Sequence, residues 1–305
     1  RIGLGRVRTA GGMTMKRAIF ALTLCGAVAG VAFPAFAQLG EQVPPPRQSW
    51  SFAGPFGQFD QAQLQRGFKI YKEVCSTCHS MNLLSFRNLA DPGGPGFSEA
   101  QAAAIAAEYK IKDVNDQGQP IERPGRLADH FPAPFPNEQA AAAAMGGKAP
   151  PDMSTLAKAR SYPRGFPWFI FDFFTQYQEE GPDYISAILK GYRDPPKGFK
   201  MPPNGHYNEY FPGHVIAMPQ PLQDGQVQFD DGSPATLVQY AKDVPAFLEW
   251  ASEPHMLQRK RVGFQVMIFL IVFAGLLYFT KKKVWHEVEK PRELAHGQEP
   301  AKTSI

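Results

Sequence analysis

Leu64, Phe68, Tyr71 and Val74 recur at helical spacing through DQAQLQRGFKIYKEV, residues 60–74, and predict an amphipathic helix that runs straight into CSTCH at 75–79. Gly67 on that helix leaves room for a second element to approach closely. Downstream, Ser98 and Gln101 have capping-box spacing at the head of SEAQAAAIAAEYK, and Asn137 is placed to cap the alanine-rich run from Glu138 to Met145. After the glycine turn at 146–147 the pattern predicts a short helix starting near Asp152. The aromatic stretch YPRGFPWFIFDFFTQY, residues 162–177, suits packing inside a large loop at least as well as contact with a membrane or a partner. Helical periodicity returns in PDYISAILKGY. It returns again in PATLVQYAKDVPAFLEWASE, where Leu237, Tyr240, Val244, Phe247 and Ala251 share a face and Pro245 is expected to kink the helix. Strand-like alternation never persists beyond a few positions. The expected fold is mostly α, with long loops.

Two apolar segments lie outside this pattern. From Met15 the chain reads MKRAIFALTLCGAVAGVAFPAFAQ: a basic start at Lys16 and Arg17, an apolar run, and a small-x-small ending at Ala35–Ala37. That order predicts a signal peptide cut before Gln38, and Pro34 with the AFA ending favours cleavage over a retained helix. The second segment, Gly263 to Phe279, carries no charge. Its 17 residues make about 25 Å of helix against a bilayer core of roughly 30 Å. Arg259, Lys260 and Arg261 before it and Lys281, Lys282 and Lys283 after it can snorkel and close the gap, which predicts a membrane anchor. The expected organisation is leader and signal peptide at 1–37, an exported domain at 38–258, an anchor with basic flanks at 259–283 and a cytoplasmic tail at 284–305. The lysines after the anchor belong on the cytoplasmic side.

Composition sharpens two points. With 29 Pro and 28 Gly, the chain is expected to carry long structured loops rather than a regular bundle. The formal charge of +4 hides an asymmetry, because residues 38–258 hold 24 acidic and 18 basic side chains, a net of −6. An acidic exported surface suits a basic protein partner and argues against nucleic acid. Asp113 with Asp116, and Glu179 with Glu180, are candidate acidic docking positions.

Cys25 leaves with the leader, so the mature chain keeps Cys75 and Cys78 as its cysteines. Structural zinc needs four protein ligands and finds no second cysteine pair, while a thiol redox motif of thioredoxin type needs a βαβ context that the pattern lacks. C-x-x-C-H fits covalent haem attachment, in which both thiols add to haem vinyl groups and His79 ligates the iron. A methionine across the iron would make an electron carrier, whereas an open position would allow small-molecule chemistry. Met145, Met153, Met201 and Met218 are the candidates. Spacing alone leaves Met201 in KMPP and Met218 in AMPQP as near equals.

CSTCH, FPNEQAAAAAMGGKAPPDMS, DYISAILKGYRDPP, NEYFPGHVIAMPQPL, FDDGSPATLVQYAKDVPAFLEWASEP, RKR and the C-terminal anchor occur in an order that resembles the cytochrome c1 family over nearly the whole mature chain. The resemblance implies a cytochrome c-like haem domain with long loops, followed by one C-terminal transmembrane helix and holding one covalently bound haem c. It implies Met218 rather than Met201 as the iron ligand opposite His79, Arg160 near a haem propionate, and Pro150, Pro151 and Tyr184 beside the haem. It further implies a membrane-anchored one-electron carrier of a dimeric bc1 complex in the bacterial inner membrane. Its partners would be cytochrome b, a Rieske iron-sulfur protein as donor and a soluble c-type cytochrome as acceptor. The haem domain would lie in the periplasm. The aromatic insertion between Arg160 and Asp183 departs from the shorter mitochondrial form.

Overall fold

The computed structural model describes residues 42–162, 164–175 and 177–296, so the leader at 1–37 lies outside the described residues. The first helix, α1 (Gln61–Glu73), is capped by Asp60, whose Oδ1 accepts from Gln63 N at 3.2 Å. Its buried face carries Leu64, Phe68, Ile70 and Tyr71. That face packs on α7 (Leu237–Ser252), which Thr236 caps. Gly67 makes the contact possible: a Cβ there would lie 2.3 Å from the Asp243 carbonyl oxygen and 2.6 Å from Phe247 Cβ. The same contact buries Asp243, which receives Arg66 Nε at 2.9 Å and Arg66 Nη2 at 3.2 Å. A buried carboxylate left without its cation would be costly, so this pair fixes the register of the two helices.

Helix α7 is buried on nearly all sides from Tyr240 to Ala251. One flank meets α1 and another meets α4 (Leu156–Ala159) and α6 (Glu180–Lys190), so α7 is the axis of the domain. Each large apolar side chain it sequesters contributes about 1.5–3 kcal/mol. The kink expected at Pro245 does not interrupt it: the helix runs through the proline from Leu237 to Ser252. Between α4 and α6 the backbones touch, since a Cβ on Gly181 would fall 1.7 Å from the Ala157 carbonyl oxygen.

The two capped helices predicted from local signals are present as α2 (Glu99–Ala107), with the Ser98/Gln101 capping box, and α3 (Glu138–Ala144), with Asn137 accepting from Ala140 N. The helix expected from Asp152 begins instead at Leu156, because the Asp152 carboxylate is engaged with Ser154 N and with the chain at Ser80 and Asn82. Two short antiparallel ribbons went beyond the predicted pattern: β1 (Lys110–Val114) with β2 (Pro120–Pro124), and β3 (His206–Tyr207) with β4 (Val215–Ile216). Arg123 on β2 binds Asp113 at 2.5 Å and Asp129 at 2.6 Å, so Asp113 is neutralised and is not a free acidic docking position. Glu179 is likewise unavailable, being buried and bound by Gly54 N and Gln178 N.

The aromatic stretch forms α5 (Trp168–Thr175), and it is not packed away: Phe166, Trp168, Phe169 and Phe171 are exposed. Arg47 and Arg164 both bind Asp172 and so tie this helix to the N-terminal segment and to its own preceding loop. The last helix, α8 (Met256–His296), runs without a break through both basic clusters. Among the described residues it is the helix long and apolar enough to cross a membrane, and from Phe264 to Phe279 its large side chains lie outside the core. Its first turn is part of the globular core, with Met256 buried and Leu257 packed beside it.

Candidate functional site

Helix α1 ends at Glu73 and delivers a 3-10 turn, Cys75–Thr77, closed by Cys78 N and His79 N both donating to the Cys75 carbonyl at 3.1 and 2.8 Å. The turn places two half-buried free thiols and a buried imidazole on consecutive bends of the chain. Burial pushes the Cys75 thiol up to about 12, with the neighbouring Cys78 adding to the effect. A thiol held in that form is a poor metal ligand and a poor redox nucleophile. No cluster of three or more metal-ligating side chains is present among the described residues.

His79 is oriented by the chain 72 residues further on: its Nδ1 lies 2.8 Å from the Pro151 carbonyl oxygen. A carbonyl only accepts, so Nδ1 carries the proton and Nε2 presents its lone pair. Burial lowers the imidazole pKa, outweighing the Pro151 carbonyl and the Asp152 charge, so the ring is held neutral. A neutral imidazole with one nitrogen anchored and the other free is the form that ligates iron.

The segment that supplies Pro151 is clamped to the CSTCHS turn. Asp152 Oδ2 accepts from Ser80 Oγ and from Asn82 N, each at 2.8 Å, while Ser154 Oγ accepts from Leu83 N at 3.0 Å. Met153 N closes the clamp on the Ser80 carbonyl at 2.8 Å. Burial raises the Asp152 pKa, but the hydrogen bonds from Ser154, Asn82 and Ser80 outweigh it and leave the carboxyl below its ordinary value. Pro150 is half-buried at the start of this segment, and Arg160 ends it as the C-cap of α4.

A second group gathers on α6 and the β3–β4 ribbon. Tyr184, Ile188 and Ile216 form a small apolar cluster against which Tyr192, Tyr210, Phe211 and Met218 pack. The Met218 carbonyl accepts from Tyr192 Oη at 3.0 Å, which fixes the backbone of the AMPQP loop. Burial pushes the Tyr184 phenol up to about 12, tempered by the nearby Arg160 guanidinium. Arg160 itself is exposed and makes no side-chain hydrogen bond or ion pair among the described residues. Thus Pro151 meets His79 in the turn that carries Cys75 and Cys78, with Pro150 preceding it in the chain, while Met218 packs on the Tyr184 cluster and Arg160 lies near Tyr184; the Asp152–Arg160 segment runs from the first group to the second.

The methionines separate by environment. Met153 is buried in the main core, as are Met81 and Met256, whereas Met145 is exposed. Met201 is half-buried but stands apart from the Tyr184 cluster, which Met218 joins. Sequence reasoning missed Asp152 and Tyr192. Asp152 stood inside the PPD stretch without a signal for its reach to Ser80, and nothing in the sequence around Tyr192 pointed to Met218.

A mostly helical domain that holds a C-x-x-C-H turn, a neutral anchored histidine and a downstream methionine loop, all carried on one long apolar helix, defines a haem-binding cytochrome of c type. Residues 50–288 match the model of the Cytochrome C1 family. Similar proteins include "Cytochrome b/c1" of Bradyrhizobium diazoefficiens, 62% identical over 90% of this chain and 40% of the relative. "Cytochrome c1" of Blastochloris viridis is 48% identical over 91% of this chain and 99% of the relative, and that of Rhodospirillum rubrum is 41% identical over 90% and 98%. The chain therefore spans under half of the first relative and nearly all of the other two. It belongs to the cytochrome c1 family, whose members bind haem c and carry electrons.

Proposed function

We propose that this chain is the membrane-anchored one-electron carrier of a bc1-type complex, taking electrons from a Rieske iron-sulfur protein and passing them to a soluble c-type cytochrome. The observation that carries the reading is the free Nε2 of His79, presented immediately after two free thiols by the Nδ1 contact to Pro151 at 2.8 Å. Cys75 and Cys78 tether a single haem c, and His79 and Met218 ligate its iron. When bound, haem c supplies a reversible one-electron iron couple. Pro151 fixes the tautomer of His79, Tyr192 fixes the loop of Met218, and neither residue moves a proton during transfer. Arg160, exposed beside Tyr184 and without an ion-pair partner among the described residues, suits pairing with a propionate. Pro150, Pro151 and Tyr184 would line the haem pocket.

The name of the Bradyrhizobium relative joins b and c1, which supports cytochrome b as a structural partner; the proposed complex is dimeric. The proposed topology is a signal peptide at 1–37, a periplasmic haem domain at 38–258, an anchor at 259–283 and a cytoplasmic tail at 284–305, in a bacterial inner membrane. The net acidic domain attracts a basic acceptor and speeds encounter in a salt-dependent manner. Co-purification of the native chain with a b-type cytochrome and a Rieske protein tests the assignment. Met218→Leu should leave the haem attached, lower its potential strongly and slow delivery to the acceptor. An unchanged potential would redirect the ligand assignment to Met201, and rapid carbon monoxide binding by the reduced native protein would refute a closed iron site.

A further inference from the structure

A cavity of 310 Å³ lies where the globular domain meets the long apolar helix, and none of the candidate haem residues lines it. Its lining changes character along α8. Arg259 and Lys260 stand at one end, while Gly263, Phe264 and Met267 continue down the same side of the helix toward its apolar run. Met256 to Met267 covers about 16 Å at 1.5 Å per residue, enough to pass from a headgroup layer into acyl chains. The domain closes the cavity with Phe52 and Phe56 from the N-terminal segment and with Glu179 and Glu249.

Glu249 is the unusual member. It is only 3% exposed, its Oε1 is taken by Lys158, and its Oε2 is buried without a hydrogen-bond partner among the described residues. A carboxylate oxygen in that position lacks a donor that solvent would otherwise supply, and the deficit is costly. Burial, with Glu253 and Glu179 nearby, raises the Glu249 pKa against the pull of Lys158. An added cation would relieve both conditions. Lys260 offers the complementary charge: its Nζ donates to the Phe52 carbonyl at 2.7 Å and the Gly57 carbonyl at 3.3 Å, and an ammonium has a third donor.

We propose that this cavity is a phospholipid site that takes the ammonium of an ethanolamine-type headgroup at Glu249 and its phosphodiester at Lys260, with acyl chain along Gly263, Phe264 and Met267. The proposal rests on the reading of α8 as membrane-spanning. A lipid held there fills the notch between domain and anchor and supplies the donor that Glu249 lacks.

Native mass spectrometry of the haem-loaded full chain, released from detergent micelles containing equal dioleoyl phosphatidylethanolamine and dioleoyl phosphatidylglycerol, tests it. One phosphatidylethanolamine should be retained per chain with about a tenfold preference, the size of one charge-assisted hydrogen bond. Glu249→Gln should abolish the preference by lowering phosphatidylethanolamine retention about tenfold. Gly263→Leu, where an added Cβ meets nothing within 4 Å, should fill the acyl arm and reduce retention of both lipids without disturbing the fold. Equal retention of the two lipids by the native chain, or an unchanged preference in Glu249→Gln, overturns the proposal. So does a photocrosslinker at Phe56 that captures a protein chain in the intact complex. Alkaline extraction of membranes separates the two readings: a chain that washes off refutes the anchor itself, whereas a chain that stays without lipid preference refutes only the site.

Discussion

Replacing Asp152 with alanine removes three hydrogen bonds of the clamp that holds the Pro151 carbonyl against His79. The native carboxylate accepts from Ser80 Oγ, Asn82 N and Ser154 N, each at 2.8 Å. A half-exposed charged acceptor contributes about 1 kcal/mol per bond, so the loss is about 3 kcal/mol. In a domain of this size each kcal/mol shifts Tm by about 2–4 °C, giving a fall of about 6–12 °C. Asp152→Asn keeps one carbonyl acceptor and should lose about half as much. The pH dependence has a definite sign. The folded-state pKa lies below the ordinary 3.8, so the stabilisation is fully present above that value and disappears as pH falls through the lower, folded one. Thermal melts of the haem-loaded full chain in detergent, followed by circular dichroism at neutral and acid pH, measure both effects. A Tm change under about 2 °C at pH 7, or a native-to-variant difference that grows on acidification, would refute the reasoning.

Three further outcomes follow from contacts described above. Gly67→Ala forces the α1 and α7 backbones apart and should destabilise the domain by about 2–4 kcal/mol in urea titrations, because the Asp243 carbonyl at 2.3 Å has no flexible end to yield. Tyr192→Phe removes the 3.0 Å bond to the Met218 carbonyl and should speed carbon monoxide uptake by the reduced protein, measured by stopped flow, at a stability cost of about 1 kcal/mol. Arg160→Gln should change stability by less than about 0.5 kcal/mol, since the side chain is exposed, while lowering the haem potential in redox titration because a cation that favours the reduced state is lost.

The parts of this fold that were legible in the sequence are those whose causes are local. Ser98 and Asn137 cap their helices through residues three positions away, and Gly67 announced a close approach without naming its partner. The helix expected at Asp152 began later because that carboxylate is spent on residues about 70 positions upstream, a tertiary use that no local window contains. The β1–β2 ribbon has strands of five residues, too short for alternation to stand out from noise. At the candidate site the C-x-x-C-H turn was readable as a contiguous chemical pattern. Spacing alone left Met201 and Met218 equal, since both lie in proline-rich loops, and the resemblance pointed to Met218; that Met218 packs against the Tyr184 cluster is a contact that only folding assembles. The aromatic stretch at 162–177 showed where apolar side chains are but carried no periodic face to say whether they turn inward. The structure leaves Phe166, Trp168, Phe169 and Phe171 exposed.

Met256 lies in the core of the globular domain, Leu257 packs beside it, and Lys260 grips the Phe52 and Gly57 carbonyls, all before the first residue of the apolar run. There is no slack tether between the globular domain and the long apolar helix. A carrier on a loose linker would sweep a volume and meet its donor and acceptor in turn; one bolted to its mast keeps a constant height and heading above the bilayer. For the proposed carrier, held in this way, the distance an electron must cross would be set by how its partners dock rather than by any swing of the domain on its helix.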